Sequence, residues 1–168
     1  MEIIANCQYG EERAKQFFRF HMLVKSPIKY IYLGISFLSL AFGVYLIAKN
    51  EGYFGIFSFF IAIITIAVWL SVVHTTINKI MKDLHFPMLK YQLLFSESSM
   101  TFVQGETKKT YFWSSIPIVC ETKTNIYFYI NASQALILGK FILSDQDRQQ
   151  LKVWLTTNQV KVRSYSFK

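Results

Sequence analysis

Two stretches decide how this chain folds: Tyr30 to Ala48 reads YIYLGISFLSLAFGVYLIA, and Tyr53 to Val73 reads YFGIFSFFIAIITIAVWLSVV. Neither contains an Asp, Glu, Lys, Arg or His. At about 1.5 Å of rise per residue, some 20 helical residues span roughly 30 Å, the thickness of a bilayer hydrocarbon core. Both stretches are long enough to cross. The competing reading is a buried helical hairpin inside a soluble protein, but core helices rarely need such uninterrupted apolar runs. A cleaved signal peptide fits poorly, because the first run begins deep in the chain and a second follows it.

Lys49-Asn50-Glu51-Gly52 joins the two runs, so the helices return antiparallel as a tight hairpin. Orientation follows from basic residues near the ends. Arg13, Lys15, Arg19, Lys25 and Lys29 precede the first run, and Lys79, Lys82 and Lys90 follow the second. The expectation is a two-span protein of the cell membrane, with both termini cytoplasmic and the hairpin tip outside. Tyr30, Tyr32, Tyr53 and Trp69 stand where interfacial aromatic belts belong. Small residues four apart (Ser39–Gly43, Ser58–Ala62, Ala67–Ser71) suit close helix approach, although such pairs also arise by chance. No ionisable group lies inside either run, so an ion path or proton relay is not expected.

Composition agrees with this division. Of 168 residues, 52% are hydrophobic, 17% aromatic and only 17% charged, against roughly 25% charged in an average soluble domain. Disorder is excluded, since disordered chains are apolar-poor and charge-rich. Two cysteines, Cys7 and Cys120, provide neither a disulfide framework nor a multi-cysteine zinc site.

The flanks read differently. EIIANCQY (Glu2 to Tyr9) allows a short strand, with its alternation interrupted at Ile3-Ile4. Glu11 to Val24 is helix-prone, with acids in its first turn and Ala14, Phe17, Phe18 and His21 at helical spacing. It suits a basic amphipathic helix in the headgroup layer, or equally the cytoplasmic start of the membrane helix interrupted near Ser26-Pro27. From Tyr91 the period becomes strand-like: YQLLF (Tyr91–Phe95), SMTFV (Ser99–Val103), KTYFW (Lys109–Trp113), PIVCE (Pro117–Glu121), NIYFYIN (Asn125–Asn131) and ALILGKFI (Ala135–Ile142). Their short polar separators predict an antiparallel meander. Ser144 is a natural N-cap, with Asp147 three residues on and an apolar stripe at Leu151, Trp154 and Leu155. The expected fold class is thus an α+β membrane protein. A transmembrane hairpin is followed by an antiparallel sheet closed by a helix, a pleckstrin-homology-like pattern. Four segments follow: 1–29 as a strand and amphipathic helix, 30–73 as the hairpin, 74–88 as a helical linker, and 89–168 as the sheet domain.

The run from Trp113 through Ile116, Val119, Glu121 and Thr122, then Ile126-Tyr127-Phe128-Tyr129 and Ala135 to Lys140, resembles the YcxB-like proteins of bacteria. The order of parts does too, as does the Phe-x-x-x-His element from Phe17 to His21. The likeness covers essentially the whole chain and departs from the pattern at Gly139, where proline is expected before the lysine. It implies the hairpin-plus-sheet architecture and no established activity.

Chemical signals are sparse. His74 and His85 stand about 16 Å apart if on one helix, too far to share a metal. His21 has no ligand-spaced neighbour, and neither cysteine has a sequence-adjacent histidine. Gly-rich phosphate loops, H-E-x-x-H and G-x-S-x-G are missing. Asn131-Ala132-Ser133 is a sequon, read here as a turn. No catalytic residue, metal or cofactor is expected, and the protein is not read as an enzyme. Charge remains: ten basic residues and five acids between 89 and 168 give +5. A membrane tether and scattered cations favour anionic lipid, or plain topological bias, over nucleic acid. Lys108 and Lys109, beside the Gln104-Gly105-Glu106 turn, are the candidate contacts. The leading expectation is a cytoplasm-facing, membrane-anchored interaction module that binds a protein partner or anionic lipid; the alternative is an immunity-type protein against a membrane-acting toxin. Oligomeric state is not encoded in any motif.

Overall fold

A computed structural model describes residues 2–83 and 89–166. In chain order it contains β1 (Ile3–Tyr9), α1 (Glu11–Phe20), a π-turn (His21–Lys25), α2 (Ile28–Ala48) and α3 (Gly52–Asp83). Then follow β2 (Leu89–Phe95), β3 (Ser99–Gln104), β4 (Thr107–Phe112), β5 (Ile118–Glu121), β6 (Asn125–Tyr129), β7 (Ala135–Gly139), α4 (Asp145–Thr157) and β8 (Val162–Ser164). The chain divides into two compact units, the described residues of Met1–Ala14 with Phe86–Lys168, and those of Lys15–His85. Segments 1–29 and 89–168 were expected to be separate. Instead residues up to Ala14 join the sheet unit, because β1 needs a partner strand and finds it in β2.

The second unit is the hairpin. Ser26 is extended, as a residue before proline should be, and Pro27 opens α2 where its missing N–H costs nothing. The helix-prone run therefore breaks at Ser26-Pro27, after a π-turn in which the Ser26 N–H donates to His21 O at 2.7 Å. Asn50 takes φ 64° in the connection, while the Glu51 N–H reaches back to Leu46 O at 3.0 Å. Antiparallel helices then meet along a seam of small residues: Ser36, Gly43, Gly55, Ser58 and Ala62 are buried. A Cβ on Gly55 would lie 2.5 Å from Ile47 Cγ1 and 2.9 Å from Gly43 O, so only glycine fits that crossing. Ser36 Oγ donates to Ala62 O at 3.2 Å, and Tyr32 stacks on Trp69 with centroids 6.5 Å apart. Of the expected small pairs, Gly43 and Ser58–Ala62 lie on the seam, Ser39 is half-buried, and Ala67–Ser71 faces outward. Past Val73 the helix becomes amphipathic, with Ile77 and Met81 buried and Lys79 and Lys82 exposed.

The other unit holds two four-stranded sheets, ordered β1-β2-β3-β4 and β7-β6-β5-β8. All pairings are antiparallel except β5 with β8, which run parallel. β1 alternates cleanly, with Ile3, Ala5 and Cys7 buried and Ile4, Asn6 and Gln8 exposed. The Ile3-Ile4 interruption is simply one isoleucine per face. One core joins both sheets: Phe95, Trp113 and Phe128 are in mutual ring contact, and Leu151, Trp154 and Leu155 of α4 pack into the same cluster. Trp113 Nε1–H donates to Ser96 O at 3.0 Å, so its indole is buried with its donor satisfied. The N-cap of α4 forms as expected, with Asp147 N–H donating to Ser144 Oγ at 3.1 Å and Ser144 Oγ–H to Asp147 Oδ2 at 2.7 Å.

The expected single sheet closed by a helix does not occur. At Trp113–Ser115 the chain leaves β4 in a 3-10 turn, and Pro117, which has no N–H to give a ladder, precedes β5. The chain therefore starts a second sheet instead of extending the first, and among the described residues β4 and β8 are outer strands with one ladder each, as are β1 and β7. The layout is α+β, with two long apolar helices between the first strand and the remaining strands.

Candidate interaction surface

Lys108 and Lys109 stand on β4, reached from β3 by a two-residue turn. Gly105, at the first central position, takes φ 55°, the conformation a type II′ hairpin turn demands there. The turn sets the register: Gln104 opposes Thr107, Val103 opposes Lys108, and Phe102 opposes Lys109. Side chains alternate along a strand, so the two ammonium groups leave from opposite faces of the sheet. Both are exposed. Lys109 Nζ lies 5.4 Å from the Tyr111 ring centroid, and among the described residues neither lysine forms an ion pair.

Position in the sheet gives these lysines their setting. Among the described residues β4 pairs with β3 on one side only, and every residue from Thr107 to Phe112 except half-buried Tyr111 is exposed. Trp113 N–H donates to Ser98 O at 3.2 Å, continuing the ladder beyond the strand. Antiparallel hydrogen bonding alternates residue by residue, so Thr107, Lys109 and Tyr111 bond inward. The N–H and C=O groups of Lys108, Thr110 and Phe112 therefore point away from β3. Phe112, 62% exposed, adds an apolar surface beside them.

The remaining cations of this unit are engaged or dispersed. Glu121 is held by Lys140 Nζ at 2.5 Å, with Lys152 Nζ at 3.9 Å, and Arg148 pairs with Asp145. Arg13 donates to Gln8 O at 2.7 Å and stacks over Phe141, 4.8 Å from the ring centroid. A shallow concavity of about 550 Å³ on the outer face of the first sheet is lined by Asn6, Gln8, Lys90 and Gln92 with Val103 and Gly105. Its Gln92 and Asn6 amides are hydrogen-bonded at 2.8 Å.

Other residues singled out by the sequence have structural surroundings. Burial pushes the Cys7 thiol up to about 12, outweighing the lowering influence of Arg13 and Tyr91. A protonated buried thiol is a poor nucleophile. The Tyr91 hydroxyl donates to Ile137 O at 2.5 Å and ties the first sheet to the second; sequence spacing offered no hint of that bridge. Cys120 is fully buried. Burial, then Lys25, lowers the pKa of His21, whose ring lies 5.8 Å from that of Phe17. His74 Nε2 is 2.9 Å from Asn78 Nδ2, and His85 lies outside the described residues. Among the described residues no three His, Cys, Asp or Glu side chains converge as metal ligands. Asn131 of the sequon accepts from the backbone of Ser133 and Gln134 at 3.0 and 2.8 Å, closing a turn. No family model, curated protein or solved structure matches this chain.

Proposed function

We propose that the protein is a membrane-anchored interaction module. The α2–α3 hairpin lies in a bilayer, and the sheet unit works at the cytoplasmic face, binding a protein partner or anionic lipid through the β3–β4 rim. The observation that carries the reading is the exposure of the hairpin's large side chains: Phe37 is 71% exposed, Phe57 64% and Ile63 64%. A core helix in a soluble protein buries such groups, whereas only 11% and 17% of the most apolar windows of the two helices are buried.

The ladder between β1 and β2 supports the topology. Ile3 opposes Phe95 and Tyr9 opposes Leu89, so the chain before the hairpin and the chain after it meet in one sheet. Two strands hydrogen-bonded to each other must lie on the same side of a membrane, so an even number of crossings separates them. Lysine and arginine flank both outer ends of the hairpin, which favours the cytoplasmic side. The order of parts is that of the YcxB-like resemblance. The packing of α4 onto a core shared by two sheets supports a pleckstrin-homology-like reading, with the free edges as a departure from it.

Cysteine labelling tests this directly, because both native cysteines are buried and give little background. In intact cells Glu51→Cys should react with a membrane-impermeant maleimide, and Lys123→Cys only after permeabilisation. The full chain should stay with the membrane pellet at alkaline pH in carbonate. Release into the supernatant, or labelling at position 123 from outside, would overturn the anchor or its orientation respectively.

A further inference from the structure

We infer that the free edge of β4 takes an extended acidic peptide segment as an added strand, with adjacent carboxylates clamped by Lys108 and Lys109. The inference rests on the interaction-module reading and names the partner's chemistry. Among the described residues Lys108 and Thr110 turn N–H and C=O groups outward without a backbone partner, a template for strand addition that ends at Phe112, whose C=O accepts from Ser115 Oγ at 2.8 Å. Lysines on an edge often serve only to discourage pairing. Here they are consecutive, so they flank the edge on both faces at the same level. An incoming strand with two neighbouring acids would present one carboxylate to each ammonium, because its side chains alternate in the same way. Phe112, on the same face as Lys108, offers an apolar contact to a β-branched or aromatic neighbour of those acids. A second copy of this chain is the wrong occupant. Pairing β4 with itself would set lysines opposite or diagonal to lysines, which is destabilising. β4 itself carries two positive charges and no acid.

The test uses the full chain in phosphatidylcholine nanodiscs and fluorescent peptides in a strand-forming frame of valine and threonine. One peptide has two adjacent central glutamates, a second has lysines in their place, and a third is the glutamate peptide N-methylated at alternate residues. The glutamate peptide should bind, and the lysine and N-methylated peptides should each bind at least about tenfold more weakly, a difference of about 1.4 kcal/mol. The Lys108→Glu, Lys109→Glu double variant should invert the preference, binding the lysine peptide over the glutamate one; that gain also shows the variant is folded. Binding that survives N-methylation would show charge attraction without strand addition and would overturn the proposal. So would failure of the glutamate peptide to bind. If, in addition, the nanodiscs associate with separate phosphatidylglycerol vesicles and the double variant abolishes this, the rim is a headgroup site. The module reading then stands without the peptide. Loss of membrane anchoring would instead be seen in the pelleting experiment, so failure of the two ideas is distinguishable.

Discussion

The hairpin and the sheets use the same aromatic alphabet in opposite ways. In the sheet unit Phe95, Trp113 and Phe128 are at most 1% exposed, while in α3 Phe54, Phe57 and Phe60 are 58–66% exposed. Where its two helices cross, what the hairpin buries is small: Ser36, Gly43, Gly55, Ser58 and Ala62, with larger buried side chains in α3 only from Val73 onward. Water explains the first pattern, since removing large apolar surfaces from it is the main favourable contribution to folding. It cannot explain the second. If the hairpin lies in a bilayer, as proposed, its helices are surrounded by tails as apolar as leucine, and their association depends on close backbone contact and a few hydrogen bonds such as Ser36 to Ala62. The two regions are therefore vulnerable to different substitutions.

The largest effect is expected where a big aromatic is deleted from the sheet core. Trp113→Ala should destabilise that unit by about 3–5 kcal/mol in a denaturant titration followed by tryptophan fluorescence. High pH should act on the same unit. Cys7 and Tyr127 hold their protons up to about 12 in the fold, against ordinary values of 9.0 and 10.0. Between those limits the unfolded chain binds fewer protons, so stability is full below about pH 9 and falls as pH rises towards 12. Cys7 alone contributes up to about 4 kcal/mol of this loss. Tyrosinate absorbance should rise together with loss of the sheet signal; ionisation of these groups without unfolding would contradict their burial.

In the hairpin the sensitive change is polarity. Ile63→Arg, mid-span and facing outward, should cost about 2.5–3.5 kcal/mol of insertion in a microsomal assay. If α3 were a water-exposed helix, the same substitution would be harmless or would improve solubility, and the contrast between the two regions would collapse. Size on the seam matters next. Gly55→Leu should weaken helix pairing by about 1–3 kcal/mol, read as faster opening in cysteine cross-linking between α2 and α3. The smallest effect is expected at a helix end: Ser144→Ala should cost the sheet unit about 1 kcal/mol through loss of the α4 cap.

Both helices were legible because two uncharged runs of that length have few alternative fates. Strand positions and the Ser144 cap were legible too, since alternation and capping are local signals. Sheet order was not. β8 is a three-residue Val-Arg-Ser segment, wholly exposed, with no period to read, and its parallel pairing with β5 depends on where α4 returns the chain. The partner of β1 lies across the entire hairpin, beyond any periodicity. Lys108 and Lys109 stood out by their turn, but the open side of β4 depends on Trp113 turning into the core and Pro117 interrupting the ladder. A candidate residue was visible in the sequence; its free backbone edge was not.

The β1–β2 ladder also orders events during synthesis. β1 is complete at Tyr9, yet its last partner, Phe95, is added only after both apolar helices have been made. At about 5–20 residues per second the strand waits roughly 4–17 s for that partner. On the proposed topology the hairpin enters the membrane within this interval, before either sheet exists. The finished ladder then joins the chain on both sides of the anchor. On that topology, a hairpin inserted with a single crossing would leave Ile3, Ala5 and Cys7 without a sheet to enter.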